Sequence, residues 1–308
     1  MVYPNLCKVC KDLEMREINV IEKESRNAIL CKPCKDLQGV DRPRIFAVKG
    51  GRTMKIQYAS DLHLEFAENR NYIENGGIES VGDVLVLAGD VSYLGDRNMM
   101  KRRFFDWCAE HFRETFIVPG NHEFYGGYDI AQTMEDYEFA YRDNVRYLNN
   151  KSVVLGDTEL FFTTLWTKIS PLHMWEIQMG MNDFKHGRLD GAQLFANDVD
   201  GLHLKCMDWL SGALEVSNSA HKVVVTHHCP TFRSEFNGYP GGALNSAFQA
   251  DLDAFIEASG VDYWIYGHTH FAGGSGTKIG STTLLCNQLG YVFQNEHMAF
   301  DRKACFEL

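Results

Sequence analysis

From residue 54 onward the chain alternates short, almost uniformly apolar runs with longer stretches of helical period. The apolar runs fall at residues 54–60, 83–88, 114–118, 159–165, 221–226, 263–266 and 282–286. Asp83-Val84-Leu85-Val86-Leu87-Ala88 is typical of them. A strand with one wet face alternates apolar and polar residues, so runs like these predict strands covered on both faces. Between them, residues 98–112, 130–141, 205–214 and 248–259 carry helical period. Alternation of this kind predicts a layered α/β architecture. Residues 166–200 hold no strong strand signal but include Trp166, Met174, Trp175, Met181, Asn182 and Asp183. A long connection between core strands predicts a lid or pocket wall. The glycine-rich stretch at 236–242 is a second candidate wall.

The chain before residue 54 reads differently. Gly39, Pro43 and Gly50-Gly51 interrupt the pattern and mark a boundary. The expected organisation is a small head at 1–45, a linker at 46–53 and a large domain at 54–308. Residues 1–53 carry 11 Lys/Arg against 7 Asp/Glu, although the whole chain has a net charge of −11. The acidity therefore lies in the large domain. That argues against broad non-specific nucleic-acid binding by it and suits a site rich in metal-binding carboxylates. No run approaches the ~18–20 apolar residues of a membrane helix, so no membrane partner is expected. The first residues lack a basic stretch followed by an apolar one, which makes the cytoplasm the default expectation.

Nine cysteines are an odd number, and four of them form two pairs, Cys7-x2-Cys10 and Cys31-x2-Cys34. The other five are scattered singly. This is a thiolate metal pattern rather than a disulfide framework. The 20 residues between the pairs match the spacing of a structural zinc site, and a head of about 40 residues needs such a staple to fold. The head resembles a zinc ribbon.

The chemistry follows the strands. The first ends in Asp61-Leu62-His63, the second in Gly89-Asp90 and the third in Gly120-Asn121-His122-Glu123. Two later strands end in His227-His228 and Gly267-His268-Thr269-His270. Ligand sites of α/β folds gather at the carboxyl ends of strands, so these side chains can converge. Each motif alone has a bland reading as a turn or a helix cap. Imidazole, carboxylate and amide oxygen together suit divalent Zn, Mn, Fe or Ni, and the donors suffice for two ions.

The ordered set Asp61-x-His63, Gly89-Asp90, Gly120-Asn121-His122-Glu123, His227 and Gly267-His268-x-His270 resembles the signature of the calcineurin-like metallophosphoesterases. The resemblance covers 54–308 and implies a four-layer αββα sandwich of two mixed sheets. It implies one metal held by Asp61, His63, Asp90 and His270. A second would be held by Asp90, Asn121, His227 and His268, with Asp90 as the bridge. His122 would sit beside the leaving-group oxygen. His227 directly follows residues 223–226, as the family ligand does, which leaves His228 as a packed histidine or a substrate contact.

Two cations lower the pKa of a bridging water, so a hydroxide is available for in-line attack on phosphorus. The expected activity is hydrolysis of phosphate esters, with either mono- or diesters as substrate. A nuclease or nucleic-acid end-processing enzyme guided by the head is the alternative, since the Lys/Arg excess of the head admits nucleic-acid contact. Glu14, Glu17, Glu22 and Glu24 in the same head favour protein docking or a structural role as much. A non-catalytic metal-bound scaffold is the third reading, and the filled ligand positions weigh against it. Substrate, native metal and oligomeric state are not legible.

Overall fold

The computed structural model describes residues 44–46, 53–95, 103–233, 242–271 and 275–308. In chain order the first strands are β1 (Arg44–Phe46), β2 (Lys55–Ala59), β3 (Val84–Leu87), β4 (Glu114–Ile117) and β5 (Tyr137–Arg142). They are followed by β6 (Val145–Asn149), β7 (Lys151–Leu155), β8 (Thr158–Thr163), β9 (Arg188–Leu189) and β10 (Ala192–Gln193). The last are β11 (His221–Thr226), β12 (Tyr263–Tyr266), β13 (Lys278–Ile279), β14 (Thr282–Cys286) and β15 (Cys305–Glu307). The helices are α1 (Ala67–Tyr72), α2 (Arg103–His111), α3 (Met174–Gly180), α4 (Asp183–His186), α5 (Ala196–Val216), α6 (Asn245–Phe248) and α7 (Asp253–Ser259).

Two sheets organise the molecule. One has the order β15-β2-β3-β4-β6-β5 and the other β1-β7-β8-β11-β12-β14-β13. Both are mixed: β2-β3-β4-β6 and β8-β11-β12-β14 run parallel, while β5/β6, β15/β2, β7/β8 and β13/β14 are antiparallel pairs.

The uniform apolarity of the strands follows from the layering. Successive side chains leave a strand on opposite faces. Ile56, Val84, Val86 and Phe116 meet Leu160, Phe162, Val223, Val225 and Ile265 between the sheets. The alternate residues Leu85, Leu87 and Ile117 face outward onto Phe104, Phe105 and Cys108 of α2. On the far side Phe161, Val224, Trp264 and Tyr266 pack against Leu210 and Leu214 of α5 and Ile256 of α7. The result is four layers, helix on sheet on sheet on helix. In α5 the buried residues Val199, Leu202, Cys206, Leu210 and Leu214 form one stripe of helical period.

The seven apolar runs all became strands, but the helix expected at 130–141 did not form. The chain makes a 3₁₀ turn at Ile130–Thr133, capped by Asp129, and then strand β5. The sequence Tyr137-Glu138-Phe139-Ala140-Tyr141-Arg142 is rich in aromatics, and Asp143-Asn144 turns it back onto β6. Aromatic residues fit a pleated surface better than a helix, and Tyr141 stacks on Phe105 of α2 with ring centroids 4.6 Å apart. The chain then crosses between sheets at Asn149-Asn150. There Asn149 and Asn150 donate to the carbonyls of Thr133 and Met134 at 2.8 and 2.7 Å. The expected helix at 248–259 is shorter, covering Asp253–Ser259, and α6 ends at Phe248. Residues 44–46, which the expected boundary leaves outside the large domain, pair in parallel with β7. The proposed zinc ligands Cys7, Cys10, Cys31 and Cys34 lie outside the described residues, as does most of the 236–242 stretch.

Leu160 is fully buried between the sheets. Leu160→Ala should lower unfolding stability by about 2–5 kcal/mol, read as a drop in the denaturant midpoint at unchanged slope.

Candidate metal centre

β2, β3 and β4 are parallel neighbours in one sheet, and β11 and β12 are parallel neighbours in the other. Their carboxyl ends open at a common edge, where Asp61, His63, Asp90, Asn121, His122, His227, His268 and His270 converge. The backbone there is unusual. Asp61 (φ 55), His63 (φ 46), Asp90 (φ 54), His268 (φ 73) and His270 (φ 51) all occupy the left-handed region. Each such residue costs of order 1–3 kcal/mol, and such positions persist where the surroundings over-determine them. Here main-chain bonds stitch the strand ends together. The Asp61 amide donates to Gly89 O at 3.0 Å, His63 to Asp90 O at 2.9 Å and Gly267 to His227 O at 2.9 Å. The Asp61 carboxylate in turn accepts the His268 amide at 3.0 Å.

Buried acceptors confront one another in two groups. In the first, His227 Nδ1 lies 2.9 Å from Ala88 O and can only donate to it, which leaves Nε2 as a bare lone pair. That lone pair faces Asn121 Oδ1 at 2.9 Å, His268 Nδ1 at 3.1 Å and Asp90 Oδ1 at 3.4 Å. The Asn121 amide nitrogen points away to the Tyr125 hydroxyl at 3.1 Å, so its oxygen is the atom presented. In the second group, His270 Nδ1 is held by Glu296 at 2.7 Å and His63 Nδ1 by Glu65 at 3.1 Å. Their Nε2 atoms face each other at 2.9 Å. Asp61 Oδ1 lies 3.4 Å from His270 Nε2, and Asp90 Oδ2 lies 3.8 Å from His63 Nε2. Asp90 thus turns one oxygen to each group.

Electrostatics set the protonation states. Burial lowers the pKa of His63 and His227 to about 4 and holds His228 and His268 well below the ordinary histidine range. A neutral imidazole is the form that can bind a metal. Burial together with the nearby charges of Glu123 and Asp61 pushes Asp90 well above the carboxylate range. Burial also opposes ionisation of Asp61, but the bond and charge of His270, with His227 and His63, hold it down at about 2. His270 is the counterpart: burial disfavours its charge, yet Asp61 and Glu296 raise it to about 9. A protein interior tolerates carboxylates this close only with positive charge among them. In the first group the His227 Nε2 lone pair faces the Asn121 oxygen with no proton between them, and clustered nitrogen and oxygen donors of this kind are the environment a divalent cation fits.

Three acids contribute that sequence reasoning gave no role. Glu65 accepts from both His63 and His122, at 3.1 and 2.9 Å, and so joins the second group to the catalytic candidate. Its signal was the two-residue step Asp61, His63, Glu65. Glu123 accepts four backbone amides, from Asp90 (2.9 Å), Val91 (2.8 Å), Ser92 (3.2 Å) and Gly120 (2.7 Å), and the Tyr147 hydroxyl at 3.1 Å. Burial raises its pKa to about 7 against those bonds. It fixes the two loops that carry Asp90 and Asn121. Glu296 orients His270 from the far end of the chain.

A cleft of about 540 Å³ opens on Asp90, Asn121, His122, His268 and His270. Gly180, Met181, Asn182 and Asp183 form one wall, so the 166–200 segment does supply a side of the pocket. Tyr125, Phe248, Phe271, Tyr291 and Glu296 line the rest. His228, the candidate substrate contact, is 2% exposed and lies outside the cleft lining. Its ring packs between Trp166 and His268, and its Nδ1 lies 3.1 Å from Thr164 O. The packed reading is the one this placement supports.

Glycine is required beside the ligands. A Cβ on Gly89, at φ +87, would stand 2.3 Å from His227 Nδ1. One on Gly120 would stand 2.2 Å from Asp90 Oδ1. Gly89→Ala should therefore displace His227 and weaken metal binding at least tenfold, read by metal titration of a variant that retains its far-ultraviolet circular dichroism.

The family model described as calcineurin-like phosphoesterase matches residues 54–272. An uncharacterized protein of Acanthamoeba polyphaga mimivirus is 26% identical over 262 residues, covering 77% of this chain and 91% of its own. The crystal structure of phosphopantetheinyl hydrolase from Mycobacterium tuberculosis superposes with a TM-score of 0.57 at 17% identity, covering 84% of this chain and 97% of its own, which is a likeness of fold. The chain belongs to the calcineurin-like phosphoesterase family and is a metal-dependent phosphoric ester hydrolase.

Proposed function

We propose that the protein hydrolyses phosphate esters with two divalent cations, one in each acceptor group, bridged by Asp90. The observation that carries this reading is the division of the Asp90 carboxylate, with Oδ1 3.4 Å from His227 Nε2 and Oδ2 3.8 Å from His63 Nε2. On this reading Asp61, His63, Asp90 and His270 hold one ion, and Asp90, Asn121, His227 and His268 hold the other. The pair supplies Lewis acidity and an activated water near neutral pH.

The chain's own residues do the rest. Ala88 O, Glu65 and Glu296 fix the rings of His227, His63 and His270, which presents their Nε2 atoms as ligands. The Glu123 carboxylate locks the Asp90 and Gly120 loops so that the Asp90 and Asn121 oxygens are aimed before substrate arrives. His122 reaches the cleft with Nε2, 3.4 Å from the Tyr291 hydroxyl, while its Nδ1 is held by Glu65 at 2.9 Å. A proton on Nε2 is placed to pass to the leaving-group oxygen. The Asp90 carboxylate accepts the His122 amide at 2.9 Å, which ties the acid to the bridge.

In the head, Cys7, Cys10, Cys31 and Cys34 hold a structural zinc on this reading, from their spacing alone. Metal analysis tests both claims. The full chain should bind three equivalents and a chain beginning at Pro43 two. Asp90→Asn should lose both of the latter, together with turnover of bis-p-nitrophenyl phosphate. Full metal content and full turnover in Asp90→Asn would refute the bridge. Nuclease activity on labelled DNA or RNA that disappears without the head would favour the nucleic-acid reading over small esters.

His122→Ala should lower kcat by about 10²–10⁴ with metal content unchanged. Glu65→Gln, acting through the rings it positions, should lower activity or metal affinity by about 10–100-fold. A His122→Ala enzyme with wild-type kcat on a poor leaving group would remove His122 from the mechanism.

A further inference from the structure

One acid of the cleft wall belongs to neither proposed ligand set, although it bonds the Asn121 side chain. Asp183 opens α4, lines the cleft and is 7% exposed, and its Oδ2 has no hydrogen-bond partner. Its polar neighbours are His122, Tyr125 and Asn121. Among the described residues no lysine or arginine lines the cleft, and none forms an ion pair with Asp183. Lys185 of the same helix bonds Asn182 Oδ1 at 3.2 Å from the exposed side. Glu296, the other acid of the wall outside the ligand sets, is already engaged by His270 at 2.7 Å and the Tyr291 amide at 2.6 Å. Burial pushes the Asp183 carboxyl up, while His122 and bonds to Tyr125 and Asn121 pull it down, and an acid so perturbed in a cleft is a candidate for function.

We propose that Asp183 is a specificity-determining residue that makes this cleft select phosphodiesters over phosphomonoesters. The inference rests on the phosphoesterase reading above. A diester carries one negative charge, and a monoester carries two above neutral pH. Sites that grip a dianionic phosphate commonly add arginine forks or lysines, and this wall offers an acid instead. Asp61 and Asp90 already offset part of the charge of two divalent ions. A further carboxylate at the substrate opening takes away more of the field that would hold the second charge. Across roughly 6 Å at an effective dielectric near 20, that extra repulsion amounts to a factor on the order of a hundred, with tenfold a conservative reading. The side chain also stands beside Asn121 and His122 in the cleft lining.

The test uses the full, manganese-loaded chain at pH 8. Steady-state kinetics would compare bis-p-nitrophenyl phosphate with p-nitrophenyl phosphate. Calorimetry would compare binding of inorganic phosphate, a dianion there, with dimethyl phosphate, a monoanion. The wild type should favour the diester in kcat/KM and bind dimethyl phosphate at least as tightly as inorganic phosphate. In Asp183→Asn the diester-to-monoester ratio should fall at least tenfold, mainly through the monoester KM, and inorganic phosphate should tighten about tenfold relative to dimethyl phosphate. Asp183→Ser gives the same comparison if the first variant does not fold. A wild type that prefers the monoester or the dianionic probe overturns the proposal while leaving the phosphoesterase reading intact. So does a folded variant whose ratios are unchanged. A metal-loaded chain that hydrolyses neither ester overturns both.

Discussion

The structure depends on a confrontation of lone pairs. Where His227 donates from Nδ1 to a carbonyl, its Nε2 has nothing to donate, yet it faces an amide oxygen, a carboxylate oxygen and another imidazole nitrogen. Where His63 and His270 give their Nδ1 protons to Glu65 and Glu296, their Nε2 atoms meet at 2.9 Å. The His227–Asn121 contact is repulsive without a cation between the atoms, and between His63 and His270 a proton on His270 takes the place that a cation would fill. The surrounding architecture keeps them in place: five left-handed residues, glycines that leave room for His227 and Asp90, and Glu123 with its five donors. Each of these features is unfavourable or unremarkable alone and makes sense as preorganisation of a metal site.

The layering explains how so many polar groups can be buried at one edge. Two sheets bury apolar residues on both faces, so the strands hold firm up to their last residue. The candidate ligands follow within one to four residues. Parallel strands bring their carboxyl ends to the same side, and sheet neighbours become neighbours in the site. Asp61, Asp90 and Asn121 come from three adjacent strands of one sheet. His227 and His268 come from two adjacent strands of the other. Asp90, the proposed bridge, turns one oxygen towards His227 and the other towards His63.

The strands and the order of candidate ligands were legible because apolar runs and the residues following them are local features. Seven runs gave seven strands, and the side chains after five of them meet in space. Less local features were not. Glu65 acts on His122, 57 positions away, and Glu296 on His270, 26 away. Glu65 carries only the two-residue step from Asp61 and His63, and Glu296 carries no motif. Strand β5 falls at the end of the stretch whose period predicts a helix over 130–141. Tertiary stacking of Tyr141 on α2 decides it. Position directly after residues 223–226 favours His227 over His228 as the ligand, while the packing of His228 between Trp166 and His268 is a tertiary property. Asp183 was visible only as a member of the 166–200 segment, and its place beside Asn121 and His122 in the cleft wall is a property of the fold.

The central claim is that the two groups of facing acceptors exist to hold two cations that share Asp90. Anomalous diffraction from crystals soaked in manganese, recorded on both sides of the metal edge, tests it most directly. The account predicts two peaks about 3.5–4 Å apart, one beside His63 and His270 and one beside His227 and His268, with Asp90 between them. A single peak, or ions elsewhere with the facing imidazoles still in contact, would contradict it.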